Sequence, residues 1–141
     1  MNQNLAGEPF FVIGSLINTK MGYLYVWDDL AQFGFFPKRQ FIISGVGKDG
    51  IRGEHAHKQC TQAIYAGESP FQLSWTSRNG ISGSTTMALG NRIFVAPPLT
   101  WITLSRFENT SSMAIVLASD YYSEDDYIRN KQEFNSIIKA I

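Results

Sequence analysis

Histidine and cysteine are scarce in this chain: two of the one and one of the other among 141 residues. A lone thiol, Cys60, leaves no intrachain disulfide framework, so a reducing cytoplasm is the expected setting. An excess of either charge is also missing. Twelve Lys and Arg balance 12 Asp and Glu, scattered rather than blocked, which argues against a nucleic-acid partner. No apolar run approaches membrane-spanning length, and Met1-Asn2-Gln3-Asn4 lacks the basic region and apolar run of a signal peptide, so no membrane partner is expected. What remains is 44% apolar, 13% aromatic and only 17% charged, the make-up of one well-packed domain over 1–141 that buries a core without staples.

The apolar residues come in short runs. Phe10 to Ile17 and Gly22 to Trp27 are aromatic and β-branched, and the break at Asn18-Thr19-Lys20-Met21-Gly22 has hairpin composition. Phe33-Gly34-Phe35-Phe36-Pro37 reads as an apolar turn, and Lys38 to Val46 as a strand with Arg39, Phe41 and Ile43 on one face. Further strands are expected at Gln62 to Tyr65, Phe71 to Thr76, Ser82 to Leu89, Arg92 to Ala96, Trp101 to Phe107 and Met113 to Ala118, with Asn79-Gly80 the strongest hairpin signal. Near-regular strands without intervening helices predict an all-β sandwich or barrel. Only the end looks helical. Ser123 is read as an N-cap before Glu124, Asp125 and Asp126, with Tyr127, Ile128, Phe134, Ile137, Ile138 and Ile141 forming an apolar stripe that packs on the barrel.

Both histidines fall in Arg52-Gly53-Glu54-His55-Ala56-His57-Lys58. In an extended segment side chains alternate, so His55 and His57 share one face while Glu54, Ala56 and Lys58 take the other, with Cys60 on that second face too. A His-x-His in a glycine-punctuated all-β chain first suggests a cupin metal site. Such a site needs a carboxylate shortly after the pair and a later histidine; Thr61 and Gln62 stand at the first place and Ile102 follows Trp101 at the second. Two imidazoles alone are a poor cage, so no metal is expected. Acid–base work remains, because an imidazole both takes and returns a proton near neutral pH.

The histidine segment resembles the Arg-Gly-x-His-Ala-His-Lys signature of the nucleotide-sugar 3,4-ketoisomerases, the WxcM-like cupins. The likeness continues in Pro37-Lys38-Arg39 and in the run from Val116 to Arg129 that contains Ser119-Asp120-Tyr121-Tyr122-Ser123-Glu124-Asp125-Asp126-Tyr127-Ile128. It implies a double-stranded β-helix, a jelly-roll barrel with a C-terminal helix. It also implies a homodimer that exchanges strands, and an isomerase that moves the carbonyl of a dTDP-linked 4-keto-6-deoxyhexose from C4 to C3 through an enediol. No cofactor is implied, and the product feeds deoxysugars of bacterial surface polysaccharides such as lipopolysaccharide O-antigen. Carried onto this chain, the resemblance gives His55 and His57 the proton transfers and Arg39 the oxyanion or a sugar hydroxyl. Arg52 is assigned to the pyrophosphate, Tyr121 to stacking on thymine, and Lys58, Gln62 and Trp101 to the rest of the substrate pocket. The chain departs from the pattern where pocket tyrosines would follow Arg39, at Phe41 and Ile42, and where a histidine would follow Trp101, at Ile102. Those departures mark the alternative, a cupin that binds a sugar nucleotide without turning it over or acts on a different sugar.

Overall fold

A computed structural model describes residues 6–141; the N-terminal tetrapeptide read above lies outside them. The strands are β1 (Phe10–Ile13), β2 (Ser15–Thr19), β3 (Gly22–Val26), β4 (Arg39–Ile43), β5 (Arg52–His57), β6 (Gln62–Ala66), β7 (Phe71–Thr76), β8 (Ser82–Met87), β9 (Arg92–Ala96), β10 (Trp101–Ser105), β11 (Ala114–Ala118) and β12 (Tyr127–Ile128), followed by one helix, α1 (Lys131–Lys139). Two five-stranded antiparallel sheets face each other, one ordered β1-β9-β6-β11-β4 and the other β12-β5-β10-β7-β8. The expected double-stranded β-helix is the fold.

Alternation builds the core. Ile64, Phe94 and Val116 from the first sheet meet Leu73, Ile102 and Leu104 from the second, all buried in one cluster. The outer face of the first sheet is covered where Val12, Phe33, Ala63, Ile93 and Val95 pack with Trp27 and Tyr65. The outer face of the second is covered at one end by α1, which sets Phe134 against Trp101, Ala56 and Ile128. No described helix is long and apolar enough to cross a membrane.

The run from Phe10 to Ile17 is two strands rather than one. At Gly14 a Cβ would lie 2.4 Å from the Val26 carbonyl oxygen and 2.7 Å from the Trp27 indole, so the chain passes through a gap only glycine fits and then leaves the sheet. Beyond that point β2 and β3 form a two-stranded sheet of their own. The tail also departs from expectation. Ser123 starts a short 3-10 turn over Glu124–Asp126 without a side-chain cap, then β12 pairs with β5, matching Tyr127 to His57 and Ile128 to Ala56. The helix waits until Lys131, where the Asn130 side chain caps it by accepting from the Glu133 N–H at 2.9 Å. Tyr127 and Ile128 therefore belong to a strand because open pairing positions on β5 outweigh a helical stripe that the Asn130 cap cannot reach.

Candidate active site

The site begins with a defect in a ladder. Along β5 and β10, Ile102 pairs with His55, Thr103 with Gly53 and Leu104 with Arg52, so Glu54 is an extra residue without a partner. Gly53 and Glu54 both take left-handed backbone, at φ 80° and 56°. Strict alternation would send Arg52 away from His55. The bulge restores it to the inner face, opposite the inward Leu104, and Arg52, Gly53 and His55 all line one cavity.

His55 and His57 lie on the same face of β5, their ring centroids 5.0 Å apart and nearly perpendicular. Tyr127 closes the cluster from β12, 5.1 Å from the His55 ring and 4.4 Å from that of His57. His55 and Tyr127 form part of the cavity wall; His57 is buried directly behind them at 5% exposure. Asp126, the residue before Tyr127, fixes the second imidazole: His57 Nδ1 donates to Asp126 Oδ2 at 2.9 Å. That bond sets the tautomer and leaves the Nε2 lone pair free. The same carboxylate accepts the Gln59 N–H at 2.7 Å and the Cys60 N–H at 3.3 Å. His57 Nε2, His55 Nδ1 and Arg39 Nε are buried without a hydrogen-bond partner among the described residues. Buried polar atoms without partners are uncommon and point to a site that a ligand completes.

Burial sets the electrostatics. Desolvation, seconded by His57, Arg129 and Arg52, lowers the His55 pKa from 6.5 to about 4, so this ring is neutral at physiological pH. Desolvation lowers that of His57 as well, but there the Asp126 carboxylate pulls the other way. His57 is therefore the better supported base of the pair. At the mouth, Arg129 donates from Nε to Glu124 Oε1 at 2.7 Å and from Nη2 to Oε2 at 3.0 Å, and its guanidinium lies 4.1 Å from the centre of the Tyr127 ring.

The cavity measures about 360 Å³. Its floor is apolar, made by Phe41, Ile43, Ile64, Ile102, Leu104 and Val116, while Arg52, His55, Gln62, Tyr127 and Arg129 supply the polar groups. Of the residues singled out in the sequence, the fold thus brings together His55, Arg52 and Gln62 on this wall, with His57 behind it. The others lie elsewhere. Arg39 is not in the wall; its guanidinium lies over the rings of Phe41, at 5.2 Å, and Tyr122, at 5.7 Å. Trp101 points out of the barrel, because alternation on β10 turns Ile102 and Leu104 inward, and it packs 5.7 Å from Phe134 under α1. Lys58 and Tyr121 border a separate hollow on the far side of Asp126. Cys60 corrects an expectation: β5 ends at His57, alternation lapses over Lys58 and Gln59, and the thiol comes back towards the histidine side, where donor atoms of His57, Cys60 and Asp126 lie within 4.8 Å of one another.

Three residues of this site escaped the sequence reading: Asp126, Tyr127 and Arg129. All sit in the run from Val116 to Arg129 that carries the resemblance, but there the acids read as a helix start and the tyrosine as its stripe. The departures look different too. Phe41 and Ile102 do line the cavity, whereas Ile42 faces outward and is 55% exposed.

A two-sheet antiparallel barrel whose interior opens beside a histidine pair, one ring in the wall and one buried behind it, with arginines at the rim and an apolar floor, defines a cupin-type domain built for a small polar ligand with an apolar side. Residues 12–139 match the family model described as FdtA: WxcM-like, C-terminal, and the chain belongs to that family. It is 30% identical over 120 residues, 85% of each chain, to the TDP-4-oxo-6-deoxy-alpha-D-glucose-3,4-oxoisomerase of Aneurinibacillus thermoaerophilus. Among solved structures it resembles a mutant of the 3,4-ketoisomerase QdtA of Thermoanaerobacterium thermosaccharolyticum in complex with TDP-4-keto-6-deoxyglucose, with 25% identity, 96% of each chain covered and a TM-score of 0.86. A 3,4-ketoisomerase from Helicobacter canadensis shares the fold at 24% identity and a TM-score of 0.84, over 94% of this chain and 98% of that one.

Proposed function

We propose that this protein is a sugar-nucleotide 3,4-ketoisomerase acting on a dTDP-linked 4-keto-6-deoxyhexose, and that the His55–His57 pair moves the protons. The reaction removes the proton on C3, next to the C4 carbonyl. The C–H electron pair forms the C3=C4 double bond, and the carbonyl oxygen takes up a proton to give the enediol. Loss of the O3 proton and delivery of a proton to C4 then leaves a ketone at C3. Each step needs a base or an acid beside the ring, plus a donor for the developing oxyanion.

One observation carries the reading: two imidazoles kept neutral by burial, one of them backed by Asp126, beside a cavity with arginines at its mouth. His55 meets the sugar at the wall, and His57 is the stronger base of the pair. Tyr127 supplies a phenol in the cavity, in a pocket where Phe41 stands in place of a tyrosine, and is suited to deliver the proton that the missing tyrosine would have carried. Arg52 and Arg129 suit a diphosphate, since guanidinium forks pair with phosphate oxygens. Gln62 suits a sugar hydroxyl, and the apolar floor suits the C6 methyl. Arg39, just outside the wall with an unpartnered Nε, is suited to join once substrate is present, and Tyr121 and Lys58 to meet the nucleoside end. TDP-4-keto-6-deoxyglucose, held in the QdtA complex, is a ligand of this class.

The proposed assembly is a homodimer in which strands are exchanged, in the cytoplasm, without nucleic-acid or membrane partners. Its support is the β2–β3 hairpin, which forms its own sheet and exposes Leu16, Ile17, Met21, Tyr23 and Leu24, an apolar surface that a second copy would cover.

Incubation with dTDP-4-keto-6-deoxyglucose in deuterium oxide tests the function. Deuterium is expected at C3 of recovered substrate and C4 of product, and no incorporation in His55→Asn or His57→Asn. Binding of the nucleotide sugar without exchange by the wild type would establish the binding-only alternative instead.

A further inference from the structure

The hydrogen-bonded pair His57–Asp126 has a third neighbour that the isomerase chemistry leaves unused. Cys60 is 2% exposed, and its Sγ lies with His57 Nδ1 or Nε2 and an Asp126 carboxylate oxygen inside a 4.8 Å span. An imidazole nitrogen, a thiolate and a carboxylate oxygen are the donor types a zinc-class ion selects. Tetrahedral coordination at ordinary zinc bond lengths places such donors roughly 3.3–3.7 Å apart. The His57–Asp126 separation of 2.9 Å is a little short of that, and the Sγ lies within 4.8 Å of both donor atoms, so side-chain rotation is what three corners require. The thiol is only weakly committed otherwise, lying 3.5 Å from the Thr61 carbonyl oxygen and 3.7 Å from Ser119 Oγ.

An entrance exists as well. A hollow of about 300 Å³ on the outer side of the pair is lined by Asp120, Asp125 and Asp126, with Lys58 the one cation among its lining residues. Three carboxylates around one opening raise the local concentration of a divalent cation next to the cluster.

We infer that His57, Cys60 and Asp126 form an inhibitory site for a thiophilic divalent cation of the zinc class, with the remaining position left to solvent. The ion takes the Nδ1 lone pair of His57 and displaces the proton now shared with Asp126. A neutral imidazole bound through Nδ1 carries its proton on Nε2, so Nε2 changes from acceptor to donor and the ring no longer accepts a proton from substrate. The Asp126 carboxylate already serves as acceptor to three N–H groups, so the one proton released to solvent per ion bound is that of the Cys60 thiol. Binding stands on the geometry alone; inhibition rests on the isomerase reading above.

The test uses the full chain without an affinity tag. Titration with Co²⁺ is expected to saturate at one ion per chain with a thiolate-to-cobalt charge-transfer band in the near ultraviolet. Zn²⁺ is expected to displace it and to stop isomerisation, and EDTA to restore turnover. Cys60→Ser and Cys60→Ala are expected to keep turnover, to lose the band, and to need zinc concentrations higher by more than the ~10–100-fold that loss of a merely supporting group costs. Absence of the band in wild type, or zinc inhibition unchanged in both Cys60 variants, overturns the proposal. A wild type that shows the cobalt band yet binds sugar nucleotide without turnover keeps the site and refutes the isomerase reading. A band together with full turnover in saturating zinc overturns the inhibitory role.

Discussion

Arg52 and His55 line the same wall although three positions separate them, because Glu54 is bulged out of the β5–β10 ladder and Gly53 turns through left-handed backbone. The bulge needs glycine twice over. A Cβ at Gly53 would lie 2.9 Å from the Ile102 carbonyl oxygen, and the residue sits at φ 80°.

Gly53→Ala is therefore expected to lower stability by at least the ~1–2 kcal/mol that left-handed backbone costs a residue with a side chain. If the strand escapes the strain by returning to regular alternation, Arg52 swings out of the cavity. Chemical denaturation reads the first effect. The second appears as a rise in KM for the nucleotide sugar that exceeds the fall in kcat, and an unchanged KM would show that Arg52 does not meet the diphosphate.

Asp126 is not among the residues of the cavity wall, so its effect on turnover is expected to pass through His57, to which it is hydrogen-bonded. Asp126→Asn keeps the shape but removes the charge that opposes desolvation of the imidazole, and it weakens the acceptor for the Gln59 and Cys60 N–H groups. Loss of a well-set general base is worth about 10²–10⁴ in rate. The variant is expected to lose kcat on that scale with KM nearly kept, and its kcat–pH profile is expected to move to lower pH. A merely structural role would lower thermal stability and leave the profile where it was.

Tyr127 is the phenol that this cavity retains. Tyr127→Phe keeps the ring packed against both imidazoles and removes only the hydroxyl, so stability is expected to change little. Turnover is expected to fall by about 10²–10⁴ if the phenol delivers a proton. Deuterium exchange at C3 separates the steps: a variant that still exchanges C3 but forms no 3-keto product places Tyr127 in the second proton transfer, and one with wild-type kcat removes it from the chemistry.

Much of this architecture is legible in single residues. Asn79-Gly80 marks the β7–β8 turn, where Gly80 takes φ 77° and the Ser77 hydroxyl accepts the Asn79 and Ile81 N–H groups at 3.1 and 3.2 Å. The period of two places His55 beside His57 and turns Arg39, Phe41 and Ile43 to one side. What local pattern cannot supply is pairing at a distance. Whether Tyr127 continues a helix or adds a strand depends on an unfilled edge of β5 some 70 residues earlier. Likewise, Arg52 and Cys60 are misplaced by simple alternation because the bulge and the end of β5 each interrupt it, and neither event is written in hydrophobicity. The outward turn of Trp101 depends on α1 covering that face of the sheet, again a fact of packing.

The depressed basicity of His55 carries over to stability. In the unfolded chain the ring titrates at its ordinary 6.5; in the folded protein it does so at about 4. Above the first value both states are neutral and no penalty exists. Between the two the unfolded chain binds a proton that the folded one refuses, so folding weakens as pH falls and the loss is complete only below the folded value. A shift of this size is worth about 3 kcal/mol. Denaturation midpoints at constant m-value are expected to drop steeply from pH 7 towards pH 4, and less steeply in His55→Asn, which has no proton to take up; part of the slope persists there because His57 is shifted in the same direction. Equal slopes for wild type and variant would mean that the imidazole is solvated in the folded protein, and with that the neutral pair on which the isomerase reading depends would be lost.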